Sequence, residues 1–139
     1  QAGGAGLITP DLIPDEAGEW INAAERHGLD RVFLAAPTST PERLKAACEA
    51  SRGFVYAVST MGITGARAEL DANARRVVDG VRNASDTALT CVGIGISTNA
   101  QVREVNEYAD GAIVGSAFVR AYQEGGLPAL IAKVRELAA

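Results

Sequence analysis

A short apolar segment that ends in a glycine-serine pair carries the clearest chemical signal in this sequence. Residues 111–119 read Gly-Ala-Ile-Val-Gly-Ser-Ala-Phe-Val, which is typical of a strand, a tight turn and the start of a helix. Because Gly115 has no side chain, an anion can approach the backbone. There it would meet the Ser116 hydroxyl and the N–H groups of Ser116 and Ala117 at the positive end of the helix dipole. The segment therefore predicts a phosphate-binding site.

A second turn of the same kind lies upstream. Residues 93–97 read Gly-Ile-Gly-Ile-Ser, again between an apolar strand and a predicted helix. In an α/β barrel the turns after the last two strands, with a short extra helix, frequently form a phosphate site at the catalytic face. We therefore expect Gly95 and Gly115 to lie side by side on one edge of a parallel sheet.

Composition limits the remaining possibilities. The chain has 139 residues, enough for a single domain over residues 1–139, and a net charge of -4 with 13 unclustered Lys and Arg residues. This argues against a nucleic-acid surface, and no long apolar run or leader predicts a membrane segment. Cys48 and Cys91 are far apart in apolar surroundings, which favours two reduced core thiols of a cytoplasmic protein. No group of residues has metal-ligand spacing, and His27 alone supports no catalytic triad.

Five apolar segments that alternate with helical patterns predict a parallel α/β sheet with right-handed crossovers. The strands are predicted at residues 6–9, 32–36, 54–59, 90–94 and 112–114. The helices are predicted from about residue 15 to 28, from 41, over 70–82, from 98, over 116–123 and from 127. The last helix is expected to turn Leu127, Leu130, Ile131, Val134 and Leu137 inward.

Two sheet architectures fit this alternation of strands and helices. An open doubly wound sheet suits the length, whereas a (β/α)₈ barrel needs about 250 residues. The glycine turns favour the barrel, because a dinucleotide fold places its fingerprint after the first strand and requires a third glycine. Here the glycines follow the fourth strand, and Thr98 occupies the third position.

Five motifs, taken together in order and spacing, resemble the tryptophan synthase alpha subunit. They are Thr-Pro-Asp-Leu-Ile-Pro at 9–14, Gly-Phe-Val-Tyr at 53–56, Ser-Thr-Met-Gly-Ile-Thr-Gly at 59–65, Gly-Ile-Gly-Ile-Ser at 93–97 and Ala-Ile-Val-Gly-Ser-Ala at 112–117. The resemblance implies the C-terminal part of a (β/α)₈ barrel, with strands four to eight present and the first three β/α units lacking. It also implies a lyase that splits indole-3-glycerol phosphate into indole and glyceraldehyde 3-phosphate. No cofactor acts in that half-reaction, and the indole passes to a beta subunit that carries pyridoxal phosphate.

The resemblance assigns roles to ten residues. Phosphate binding is implied for Gly65, Gly95, Gly115 and Ser116. Supporting positions near the chemistry are implied for Tyr56, a strand tyrosine, and Thr64, in the predicted lid of residues 60–68. Apolar contacts to the indole and glycerol portion are implied for Ile8, Ile94 and Ile113, and contact with the beta subunit for Asp11.

The catalytic glutamate and aspartate of that family lie on strands two and three, outside the segment that matches. Glu16, Glu19, Glu25 and Glu42 cannot replace them, because helical spacing puts these carboxylates on outer helices rather than at strand ends. The segment is thus expected to bind the substrate without catalysing its cleavage. Two other interpretations stay open: a non-catalytic phosphate-binding half-barrel or fragment that self-associates, and another phosphate-binding barrel enzyme of amino-acid biosynthesis.

Overall fold

The computed structural model describes residues 3–58, 67–93 and 95–139, with only the backbone of 67–71. The strands are β1 (Gly6–Ile8), β2 (Asp30–Val32), β3 (Leu34–Ala35), β4 (Val55–Val58), β5 (Thr90–Gly93) and β6 (Gly111–Ile113). The helices are α1 (Gly18–His27), α2 (Pro41–Ala50), α3 (Arg67–Ala84), α4 (Asn99–Asn106) and α5 (Ser116–Ala138). Thr64, Gly65 and Ile94, to which the resemblance gives roles, lie outside the described residues.

Every described strand pair is parallel and joins neighbours in the sequence. β1 pairs with β2, and β3, β4, β5 and β6 pair in that order. In a doubly wound sheet the spatial order of the strands reverses at a switch point, and no such reversal of order occurs among these strands. The strand order is therefore that of consecutive units in a (β/α)₈ barrel.

The predicted strand at 32–36 begins two residues earlier and is interrupted at Phe33. β2 ends before this residue and β3 begins after it, so that the first segment pairs with β1 and the second with β4. Phe33 itself remains hydrogen-bonded, since its carbonyl accepts the Tyr56 N–H (3.0 Å) and its N–H donates to Ser51 Oγ (3.2 Å). The interruption lets one extended segment serve two neighbours.

Local signals account for the helix ends. Thr40 caps α2 with Pro41 at the first position, and Gly28 ends α1 in the left-handed conformation at φ 63°. The start predicted near residue 15 is a short 3-10 turn, Pro14–Glu16, which precedes α1. The predicted break in the last helix is confirmed, because Gly125 and Gly126 have non-helical backbone angles inside α5.

The core lies between the helices and one face of the sheet. Val55, Ala57 and Val92 point to this face and are fully buried against Val78 and Val81 of α3. The opposite face of the same strands is only half-buried, and its members are Leu34, Tyr56, Val58, Cys91, Gly93, Gly111 and Ile113. Alternation along parallel strands separates the two faces, and in a barrel the half-buried one is the interior.

The prediction that the last helix turns its apolar residues inward is wrong in large part. Leu137 is buried, but Leu127 is 59% exposed, and Ile131 and Val134 are 42% and 43% exposed. The apolar spacing is helical, and among the described residues α4 and Ala112 of β6 pack against one edge of the stripe. The chain exposes 8688 Å², against about 6,800 Å² for a folded monomer of its mass. Within the described residues, no helix has the length and apolar character needed to span a membrane.

Candidate functional site

The two glycine turns lie next to each other on one edge of the sheet. β5 and β6 are parallel, and their last residues, Gly93 and Ile113, are partners in register. Gly95 and Gly115 each follow two residues after these partners, so the two turns leave the same edge of the sheet from neighbouring strands, which lie about 4.8 Å apart. The adjacency expected from the sequence is present.

The turn after β6 opens into the first turn of α5. Gly115 is the N-terminal capping position, and its carbonyl accepts the N–H groups of Phe118 (3.0 Å) and Val119 (3.2 Å). No side chain caps this end, and the N–H groups of Ser116 and Ala117 have no partner among the described residues. A Cβ added at Gly115 would meet nothing within 4 Å. Unpaired donors, an open approach and the positive end of a helix dipole suit an anion.

The turn after β5 is closed by hydrogen bonds of its own. The Gln101 Oε1 atom accepts the N–H groups of Ser97 (2.7 Å) and Thr98 (3.0 Å), and Thr98 Oγ1 accepts the Gln101 N–H (3.3 Å). This is a capping box, for which Thr98 and Gln101 have the sequence pattern. Gly95 has φ 58°, the left-handed region that favours glycine, and a Cβ there would also face open space. Gly95 thus allows the left-handed backbone of this turn and leaves open space for a ligand, but it does not itself supply an N–H group from a helix end.

Tyr56 lies on the half-buried face beside the same edge. A Cβ added at Gly93 would collide with the Tyr56 hydroxyl and with its Cζ and Cε1 atoms. The tyrosine ring therefore crosses β5 over Gly93, which brings its hydroxyl to the residue before the Gly95 turn. Burial raises the pKa of the Tyr56 phenol, so the group is a protonated hydrogen-bond donor at neutral pH.

Sequence reasoning placed Gly93 at the end of the predicted strand 90–94 and in the 93–97 turn motif, and it missed that Gly93 makes room for the Tyr56 ring. The available signal was alternation, because Gly93 and Tyr56 occupy the same face of adjacent strands. Which ring fills the space above a glycine depends on side-chain packing. Periodicity alone does not reveal it.

The other predicted positions are distributed along the sheet. Ile113 is half-buried at the end of β6, in register with Gly93. Ile8, 43% exposed, lies at the end of β1, which pairs with β2 and not with the four strands β3 to β6. Asp11 is exposed in the turn that follows. The structure therefore groups Tyr56, Ile113 and the two glycine turns, and it leaves Ile8 and Asp11 at the opposite end of the strand order.

The carboxylates excluded on sequence grounds lie on elements other than the two glycine turns. Glu16, Glu19, Glu25 and Glu42 are all exposed on or beside α1 and α2. Glu25 is engaged by the buried Arg31, whose Nη1 lies 3.1 Å from Glu25 Oε1. The described residues contain no group of three His, Cys, Asp or Glu side chains that could hold a metal ion.

Comparison with known proteins gives a consistent result. The family model described as "Tryptophan synthase alpha chain" matches residues 1–138. The alpha chain of Mycobacterium avium strain 104 is 59% identical over 138 residues, which cover 99% of this chain and 51% of the relative. That of Leifsonia xyli is 61% identical over 137 residues, with 99% and 52% covered. The chain thus spans about half the length of the curated relatives it matches.

Solved structures agree with this assignment. Tryptophan synthase from M. tuberculosis in its aminoacrylate-bound form is similar with a TM-score of 0.84 and 54% identity, over 99% of this chain and 51% of that one. A structure of the tryptophan synthase a2b2 complex from Pyrococcus furiosus gives 0.78 and 36%, over 96% and 55%. The predicted fold, parallel β/α units of the C-terminal part of a (β/α)₈ barrel, is confirmed. By sequence over nearly its whole length and by fold, the chain belongs to the tryptophan synthase alpha chain family.

Proposed function

We propose that this chain supplies the phosphate-binding edge of an indole-3-glycerol phosphate lyase that serves tryptophan biosynthesis. The observation that carries the proposal is the adjacency of the Gly95 and Gly115 turns, with two N–H groups at the start of α5 that have no partner among the described residues. A phosphate monoester at this edge would accept hydrogen bonds from Ser116 and Ala117. Gly65 and Thr64 would contribute from the 60–68 segment, as the family resemblance implies.

The organic portion of the substrate would extend from the phosphate over the half-buried face. Ile113 and Tyr56 border that face next to the turns. The Tyr56 hydroxyl is held above Gly93 and is protonated, so it offers a donor to the glycerol portion. Ile94 and Ile8 would complete the apolar wall. This proposal uses no cofactor on this chain, and pyridoxal phosphate would act in the beta subunit.

Calorimetry with glycerol 3-phosphate tests the phosphate site directly. The wild-type chain is expected to bind it with an affinity that falls as salt is added. Gly115→Leu should abolish the heat, because the new side chain fills the space in front of the free N–H groups. Gly4→Leu is the matched control, since its Cβ also faces open space but lies before β1. Equal heats from all three proteins would contradict the site.

We further propose that this chain alone does not complete the reaction. Protonation of the indole ring and removal of the proton from its nitrogen need an acid and a base within hydrogen-bond reach. No carboxylate among the described residues replaces the family's pair at this edge. Incubation of the purified chain with indole-3-glycerol phosphate should release no indole, and steady turnover would overturn this part of the proposal.

The exposed apolar surfaces support the proposal that residues 1–139 correspond to barrel units four to eight. The half-buried sheet face and the stripe of Leu127, Ile131 and Val134 are where further barrel units would pack. A polypeptide that covers the other half of a relative's length should bind this chain and bury the stripe. Hydrogen exchange in α5 would slow if it does, and unchanged exchange would contradict the correspondence.

Contact with a beta subunit is proposed through the turn at Asp11. This carboxylate is exposed at the carboxyl end of β1, and the relative from Pyrococcus furiosus is described as an a2b2 complex. Asp11→Lys should weaken capture by a relative's beta subunit while leaving glycerol 3-phosphate binding intact. If the substitution weakens neither the capture nor the glycerol 3-phosphate binding, or weakens both, Asp11 has no dedicated docking role.

A further inference from the structure

Gln101 occupies an unusual place beside the proposed phosphate site. Its Oε1 atom accepts three groups of the β5–α4 turn: the Ser97 N–H (2.7 Å), the Thr98 N–H (3.0 Å) and the Ser97 hydroxyl (3.3 Å). On the other side of the same turn, Ile96 is 2% exposed and anchored in the core. The turn that contains Gly95 is thus fixed by one buried side chain and one amide oxygen.

The chemistry of this position would ordinarily favour a glutamate. The third position of a capping box takes either Glu or Gln, and a negative charge in the first turn is stabilised by the helix dipole. α4 has no acidic residue in its first turn, although such a residue would stabilise it. α5 likewise has none in its first turn. Neither helix that starts at this edge therefore has a stabilising negative charge in its first turn.

We infer that Gln101 is a positioning residue for the phosphate turn, and that its lack of charge tunes the edge for an anion. This inference rests on the proposed phosphate site. The amide oxygen holds Ser97 and Thr98 and so keeps Gly95 in its left-handed conformation, with open space in front of it. A carboxylate would make the same hydrogen bonds, but it would place a negative charge close to a bound phosphate dianion. A neutral acceptor organises the turn without that repulsion.

Two substitutions separate the geometric part from the electrostatic part. Gln101→Glu keeps the acceptor and adds a charge, whereas Gln101→Met keeps the length and removes the acceptor. Gln123→Glu is the charge control, because it makes the same change seven residues after Ser116, about 10 Å further along α5. Each variant is measured for melting temperature and for glycerol 3-phosphate affinity by calorimetry at low and high salt.

The three variants have distinct expected results. Gln101→Glu should melt at or above the wild-type temperature and bind about fivefold more weakly at low salt, and added salt should remove most of that difference. Gln101→Met should lower both the melting temperature and the affinity, and salt should not restore the affinity. Gln123→Glu should match the wild type in both measurements.

The outcomes also distinguish this inference from the function on which it rests. If the wild-type chain binds glycerol 3-phosphate and Gln101→Glu binds it equally well at low salt, the electrostatic role is wrong and the phosphate site stands. If Gln101→Met binds as the wild type does, the positioning role is wrong. If the wild-type chain does not bind the probe, the proposed site fails and the inference fails with it.

Discussion

The turns after β5 and β6 have similar glycine-containing sequences, yet they satisfy their backbone N–H groups in different ways. At the first turn, Gln101 accepts the Ser97 and Thr98 donors, and Thr98 accepts the Gln101 N–H. The N–H groups of Asn99 and Ala100 have no partner among the described residues. At the second, the donors of Ser116 and Ala117 have no partner among the described residues. The two turns therefore differ in side-chain capping: Thr98 and Gln101 accept three N–H groups at the first turn, whereas no side chain among the described residues caps the second.

The largest expected effect comes from placing the same charge at each turn. Ser116→Asp should reduce glycerol 3-phosphate affinity on the order of 100-fold, because the carboxylate would lie beside the anion. Thr98→Asp should reduce it only about threefold, since aspartate can replace threonine as the helix cap and its carboxylate would then be held by the N–H groups of α4. Calorimetry on both variants provides the measurement. Equal losses would remove the distinction between the two turns.

The next effect concerns the strand ends beneath the turns, where Gly93 and Ile113 are partners. Gly93→Val should cost about 3 kcal/mol of unfolding free energy, because the new atoms collide with the Tyr56 ring. The double variant Gly93→Val with Tyr56→Ala should recover much of that loss. Urea unfolding of both single variants and the double variant gives the coupling energy. Strict additivity would show that the ring does not lie over Gly93.

A smaller effect separates the two turn glycines. Gly95→Ala should cost about 1 kcal/mol of stability, because its φ of 58° strains any residue with a Cβ. Gly115→Ala should cost less, since φ is -117° there and the Cβ position is open. Both should weaken phosphate binding. Thermal unfolding compares the two, and a larger loss for Gly115→Ala would contradict the backbone geometry described for the turns.

The smallest expected effect is a pH dependence of stability that comes from Cys91, a residue of β5. Burial, and to a lesser extent the Asp110 carboxylate, raise the pKa of the Cys91 thiol above its ordinary value of 9.0. The folded state therefore holds this proton more tightly than the unfolded state, and unfolding free energy should decline as pH rises above about 9. Cys91→Ala should decline less steeply between pH 8 and 10 in urea titrations. An unchanged slope would mean that the thiol ionises equally well in both states.

Several parts of the fold follow from local signals that need no tertiary context. The capping box of Thr98 and Gln101, the Gly28 helix end and the Gly125-Gly126 break all appear where the sequence places them. Each depends on backbone geometry or on hydrogen bonds within a few residues. The apolar segments likewise predict strands, because both faces of a parallel sheet are covered.

Other parts depended on distant neighbours. Periodicity correctly identifies the helix at 127–138, but it cannot say what lies opposite, and Leu127 and Ile131 are exposed because no described element covers them. Phe33 divides a predicted strand because its two halves pair with different neighbours. Neither outcome is encoded within a local window.

The sequence by itself determined the order of β/α units, the glycine turns at two strand ends and the resemblance to one family. Only the tertiary structure decided that Gly93 makes room for Tyr56 and which N–H groups at the two turns find a partner among the described residues. The physical reason is the distance along the chain over which each interaction acts. Turn and cap preferences act over three or four residues, whereas the satisfaction of a donor and the space above a glycine depend on which side chains fold against them.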